Sequence, residues 1–222
     1  MLKHNLNLDF SVRLTINAGQ LAWIPAPPPR VWRKQFEREH PERGRATSLV
    51  RYQAGSGYDT HTHPLGEEIL VLEGVFSDEH GDYPAGTYLR NPPGSTHTPY
   101  SERGCILFVK LDHFHPADDR RVVILPDEMP WTRKEEGHSI AVLHQHENEI
   151  TALVRWPQGQ CQCIHQRWGG EEILILEGRL ADEQGEYPNH TWIRSPHLSD
   201  HTFTAEDGTL VFFKAGHLPV PG

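Results

Sequence analysis

Cysteine is scarce. Cys105, Cys161 and Cys163 are the three in a chain of 222 residues, which is no disulfide framework and fits a reducing cytoplasm. Long apolar runs are also missing. None approaches the roughly 20 residues of a membrane span, and Met1-Leu2-Lys3-His4-Asn5-Leu6 lacks the continuous apolar stretch of a secretory signal. A cytoplasmic protein with no membrane partner is expected. Positive charge is in deficit: Lys and Arg number 21 against 30 Asp and Glu, for a net charge of −9. No direct nucleic-acid partner is expected, because phosphate binding needs a concentrated basic surface. The one basic cluster, Arg30, Arg33, Lys34, Arg38, Arg43 and Arg45, is interrupted by Glu37, Glu39 and Glu42, and reads as a solvated mixed-charge segment. Helical periodicity is absent too, apart from a short stretch near residues 33–40.

What is present is a strand pattern written twice. Residues 47–110 align with residues 151–214 at a constant shift of 104 without a gap, and nearly half of the paired positions are identical. Leu49-Val50-Arg51 returns as Leu153-Val154-Arg155, and Glu67-Glu68-Ile69-Leu70 as Glu171-Glu172-Ile173-Leu174. The register reaches back through His40 and His144, and Trp23-Ile24-Pro25 resembles Pro130-Trp131-Thr132. Within each copy, β-branched and aromatic runs are short and bounded by glycine, proline and acidic turns. Such patterning indicates a sandwich or barrel. The expected fold is all-β, with two tandem barrels at residues 1–118 and 119–222, joined near His115-Pro116-Ala117-Asp118-Asp119-Arg120. The extended segment 7–16 packs either on its own barrel or on a neighbour's.

Two runs in the first copy carry chemistry. One is Gly55-x5-His61-x-His63-x3-Glu67-x6-Gly74, and the other is Gly86-x5-Pro92-x-Gly94-x2-His97. Strand side chains alternate faces, so His61 and His63 point the same way, with Cα atoms about 6.6 Å apart. Glu67 follows the Pro64-Leu65-Gly66 turn and can return a carboxylate to the same place, while His97 arrives from a separate strand. Three imidazoles and one carboxylate form a ligand set for a divalent metal and leave coordination positions open. Without a metal, three histidines in an apolar barrel would leave ring nitrogens in need of partners.

These two runs resemble the two signature motifs of the cupin superfamily of small antiparallel jelly-roll barrels, with Ser101 where the second motif usually has asparagine. The wording Gly66-Glu67-Glu68-Ile69-Leu70-Val71-Leu72-Glu73-Gly74, then Ser77-Asp78-Glu79-His80-Gly81-Asp82-Tyr83-Pro84 and Arg90-Asn91-Pro92-Pro93-Gly94-Ser95, is similar to the cupin domain of ChrR-type anti-sigma factors. The resemblance implies a tandem cupin that binds metal through His61, His63, Glu67 and His97. Zn2+ is the expected ion, with Fe2+, Mn2+ or Ni2+ as alternatives. A sigma factor is implied as partner by the resemblance only. The family's sigma-binding part is a separate helical zinc domain with a His-x3-Cys-x2-Cys motif, and the residues ahead of the first barrel carry no cysteine and four prolines, Pro25, Pro27, Pro28 and Pro29.

The second copy is altered. His165, Glu171 and His201 stand at the places of His61, Glu67 and His97, but Arg167 replaces His63, and a guanidinium stays protonated and cannot ligate. Three readings stand: a lapsed site kept as scaffold, a metal held by His165, Glu171, His201 and Cys163, or an anion pocket built on Arg167. His144-Gln145-His146 has ligand-like local spacing but no glycine five residues upstream, and reads as surface strand histidines.

Two functions follow. The first is a metal-dependent regulatory protein that senses a small-molecule ligand, able to pair as a homodimer. The second is an Fe(II) dioxygenase cleaving a C–C bond in a diketone or hydroxyketone, with Tyr58, Tyr88, Tyr100 and Phe108 as candidate pocket residues, although aromatics on barrel strands are more often core.

Overall fold

In the strand Glu67–Asp78 the pleat sends alternate side chains to opposite faces. Glu67, Ile69 and Val71 face inward, and Ile69 and Val71 join an apolar core with Val50, Tyr52, Phe76 and Leu107. Burial of each such aliphatic side chain contributes about 1.5–3 kcal/mol. Glu67 is the polar end of this inward row, which is why a carboxylate reaches the barrel interior. The computed structural model describes residues 5–164 and 167–220, with the side chains of residues 161–164 and 207 outside the description. Among the described residues, strands account for nearly all regular structure, with 3-10 turns at Ala18–Gln20 and Pro126–Glu128.

The chain forms two compact units, residues 1–8 with 21–128, and residues 9–20 with 129–222. In the first, antiparallel strands run in the order Val122–Ile124, Tyr88–Asn91, Glu67–Asp78, Cys105–Leu111, Ala46–Tyr52, Val31–Arg38 and Ile24–Pro25. A separate two-stranded ladder pairs His61–His63 with Ser95–His97, so that His61 stands opposite His97. In the second unit the order is Leu14–Asn17, Thr191–Ser195, Glu171–Asp182, His201–Ala215, Glu149–Arg155, Ser139–His146 and Trp131–Arg133. Its core of Val154, Trp156, Ile173, Ile175, Phe203 and Val211 occupies the same inward rows.

Three sequence expectations change. The stretch near 33–40 is not helical: residues 33–38 lie in the strand Val31–Arg38, whose backbone is held by the ladder to Ala46–Tyr52. The segment Leu14–Asn17 pairs with Thr191–Ser195 of the second unit, just as Val122–Ile124 pairs with Tyr88–Asn91 of the first. Residues 9–20 therefore pack with residues 129–222, and residues 119–128 with the first unit. His144 is buried at 5% exposure rather than on the surface, beside a β-bulge between Val142 and His144.

Candidate metal centre

The turn Pro64-Leu65-Gly66 aims Glu67. Gly66 has φ +81°, and a Cβ there would lie 2.6 Å from the Phe114 ring, so only glycine makes this bend without displacing the ring. The Gly66 amide donates to the His63 carbonyl at 3.3 Å, and the Asp112 amide donates to the Gly66 carbonyl at 3.0 Å. His63 and Glu67 are thereby held on one side of the turn.

One ligand-capable nitrogen from each of His61, His63 and His97 falls within 4.8 Å of the others. His63 Nε2 and His97 Nε2 are 2.9 Å apart. Glu67 Oε2 lies 3.4 Å from each of them and accepts from Asn91 Nδ2 at 3.3 Å. His61 places Nδ1 2.8 Å from the Asp59 carbonyl, where it donates, which leaves Nε2 as the nitrogen with a lone pair. Behind His97, Asp78 Oδ2 is 3.6 Å from Nδ1, a charge contact rather than a hydrogen bond at that length. Asp78 is itself oriented by the Tyr83 hydroxyl at 3.0 Å and the His80 amide at 2.8 Å. A carboxylate behind a ligating imidazole fixes its orientation and raises its basicity.

Electrostatics distinguish the members. Burial opposes the charged form of His63, and the neighbouring His97 and His61 add to that against Glu67, so its pKa lies below 6.5. Burial acts the same way on His97, but Asp78 and Glu67 outweigh it and hold the pKa above 6.5. For Glu67 burial pushes upward, yet His63, His97, His61 and the Asn91 hydrogen bond keep it below its ordinary value. A buried carboxylate held ionised among three imidazoles is the donor chemistry a hard or borderline divalent cation needs. The residues present fit such an ion.

The centre opens on a cavity of about 380 Å3. Tyr58 lines it, as expected, with its ring 5.6 Å from that of His61. Tyr88 and Phe108 do not: strand parity turns them to the opposite face, where the Tyr88 hydroxyl donates to Glu68 at 2.5 Å and Phe108 packs on Phe36. Tyr100 lies at the surface, 38% exposed. Sequence reasoning missed Tyr52 and Phe76, which line the cavity, and Arg33 and Arg38, which are buried in its wall at 7% and 2% exposure rather than solvated. It also missed Asp78, although the repeat of Asp78 as Asp182 was a visible signal.

In the second unit the corresponding groups have regrouped. His201 Nε2 and Glu171 Oε1 bond directly at 2.6 Å. Arg167 turns its guanidinium over Phe213 at 5.2 Å, with Nε 3.9 Å from Glu171 Oε2. Asp182, the counterpart of Asp78, takes a bond from Arg13 at 2.5 Å instead of facing the histidine. His165 and the side chain of Cys163 lie outside the described residues.

Paired barrels of antiparallel strands, one with three imidazoles and a carboxylate converging beside a cavity, define a bicupin with a candidate metal centre. Solved structures share this fold. They include the protein Ylba from Escherichia coli (TM-score 0.73, 13% identity, covering 100% of this chain and 98% of that one). The bacterial pirin YhhW from Escherichia coli, in complex with nickel(II), has TM-score 0.68 and 14% identity, covering 94% and 100%. Quercetin 2,3-dioxygenase from Acinetobacter baumannii has TM-score 0.61 and 14% identity, covering 93% and 79%. The chain belongs to the ChrR cupin-like domain family, which matches residues 11–115 and 119–219. A comparison with curated proteins finds no match.

Proposed function

We propose that the first unit binds one divalent metal ion through His61, His63, Glu67 and His97, and that the protein is a metal-dependent binder, and sensor, of a small molecule held in the adjoining cavity. The observation that carries this reading is the convergence of the three imidazoles and the Glu67 carboxylate at the wall of a cavity of about 380 Å3. Four protein ligands leave one or two positions of a five- or six-coordinate ion facing that cavity. When bound, the metal supplies Lewis-acid coordination of an oxygen atom of the small molecule. The chain's own residues do the rest. Gly66 and Asn91 orient Glu67, the Asp59 carbonyl selects the tautomer of His61, Asp78 stands behind His97, and Tyr52, Phe76 and Leu107 exclude water from the apolar wall.

The second unit, with Glu171 already bonded to His201 and an arginine at the fourth position, serves as scaffold in this reading. No residue of either unit is assigned to a sigma factor, and no helix among the described residues is long and apolar enough to cross a membrane.

A second reading, oxidative cleavage of a diketone or hydroxyketone, is favoured by the same open face of the centre, and quercetin 2,3-dioxygenase shares the fold. Elemental analysis of untagged protein purified anaerobically without chelator, followed by oxygen uptake on a diketone panel, separates the two. Zinc at about one equivalent with oxygen uptake at background is the expected result for the sensor. Iron with turnover at an ordinary enzymatic rate overturns it, and a chain that retains no metal overturns both.

A further inference from the structure

Arg33 and Arg38 are five residues apart, and in a regular strand they would face opposite sides of the sheet. A β-bulge between Gln35 and Glu37 removes that difference, so that Arg33 stands opposite Val50 and Arg38 opposite Ala46, both turned into the cavity of the first unit. Arg33 donates from Nη2 to the Tyr58 hydroxyl at 2.9 Å, and its Nη1 lies 3.3 Å from Glu42. Arg38 donates to the His40 and Pro41 carbonyls at 3.0 and 2.5 Å, while its Nε is buried without a partner. Of the two buried guanidinium groups only Arg33 pairs with a carboxylate, Glu42, whose side chain is 45% exposed, and Arg38 feels the same carboxylate only at longer range. Burial, followed by the nearby Arg33, lowers the pKa of Arg38 to about 10. Buried cations in excess are costly unless an anion completes the set.

The internal repeat shows that these groups accompany the metal ligands. The bulge recurs in the second unit, where Ile140 stands opposite Val154 and Gln145 opposite Ile150, so both arginines are replaced there. Tyr58 corresponds to Gln162 in sequence. The copy that has lost a metal-ligating histidine has therefore also lost Arg33, Arg38 and Tyr58.

We infer that the cavity of the first unit takes a small dicarboxylic acid, one carboxylate bound by Arg33, Arg38 and the Tyr58 hydroxyl, the other directed at the His61, His63 and His97 cluster. Tyr58 stands beside both ends: the Arg33 guanidinium carbon is 5.9 Å from the centre of its ring, and the centre of the His61 ring is 5.6 Å from it. The apolar wall of Val50, Ile69 and Leu107 in the same cavity suits a methylene chain. The inference rests on the metal-centre reading for its second carboxylate and on the arginines alone for its first.

The test is calorimetric titration of the metal-loaded protein with oxalate, succinate and adipate, and with 2,5-hexanedione as the uncharged analogue of succinate. Succinate is expected to bind at least about tenfold more tightly than the dione, and Arg33→Met to weaken succinate by about tenfold or more with bound metal unchanged. Arg33→Lys should recover part of the loss. Equal affinity for succinate and the dione in the unmodified protein, or no binding of any acid, overturns the inference while leaving the metal reading intact. Protein that holds no metal but still binds succinate in an Arg33-dependent way upholds the anion site and overturns the metal reading.

Discussion

His63 Nε2 and His97 Nε2 face each other at 2.9 Å. Two lone pairs repel at that length, so in the metal-free protein one imidazole must donate a proton to the other. The opposite displacement of the two rings agrees with this: burial keeps His63 neutral, while Asp78 and Glu67 overcome burial to favour a charged His97. Metal uptake requires a lone pair from both rings, so that proton must leave. Metal affinity should therefore rise with pH through and above 6.5, because the His97 pKa is raised. Titration of chelator-stripped protein in weak buffer should release protons, and an affinity that does not change between pH 6 and pH 8 would refute the coupling.

His63→Ala should abolish bound metal. At metal concentrations about 100-fold above the dissociation constant, linkage stabilises the native state by about 2.7 kcal/mol. The parent protein should therefore melt at a lower temperature after chelation, whereas the variant should show no chelator effect. Retained metal in the variant would remove His63 from the ligand set.

Gly66→Ala tests the turn that aims Glu67. The φ of +81° and the 2.6 Å approach to Phe114 together predict a loss of more than about 1 kcal/mol. They also predict weaker metal binding than stability alone explains. Denaturant melts and metal titration of the same preparation separate the two effects.

In the second unit, Arg13→Met leaves the Asp182 carboxylate, whose side chain is fully buried, without its cation. Because the Tyr187 hydroxyl and the Gln184 amide still donate to the carboxylate, the loss is on the order of 1–3 kcal/mol. Burial raises the pKa of Asp182, but the Tyr187 hydroxyl, Arg13 and the Gln184 amide outweigh it and hold it below 3.8. The stabilisation from this lowered pKa is present above pH 3.8 and is lost as pH falls through the lower folded value. Acid unfolding followed by circular dichroism should begin at higher pH in the variant than in the parent.

Arg167→His returns an imidazole to the fourth position of the second copy. Freed of the competing guanidinium, Glu171 and His201 can separate, and bound metal should rise from about one equivalent per chain to about two. A stoichiometry that stays at one would show that the bonded pair at 2.6 Å, rather than Arg167, closes that site.

Spacing explains which parts were readable in advance. His61 and His63 share a strand face, and Glu67 begins the inward row of Ile69 and Val71, so local periodicity brought these groups together on paper. The repeat likewise exposed the arginine at position 167. Arg33 and Arg38 were misread because their parity is set by a bulge, and a bulge leaves no mark in residue type. Tyr88 and Phe108 could be assigned to pocket or core only by the structure, because an aromatic on a buried strand looks the same whichever face it occupies.

Sequence alone determined the repeated all-β architecture and the identity of the ligand-bearing strands, because alternation and turn chemistry act over a few residues. Tertiary structure decided what those strands do together. It set the 2.9 Å contact between His63 and His97, the assignment of Leu14–Asn17 to the second unit, and the burial of two arginines beside the centre. Each depends on pairing between residues far apart in the chain, where register is settled by the total burial of both partners and not by any local preference.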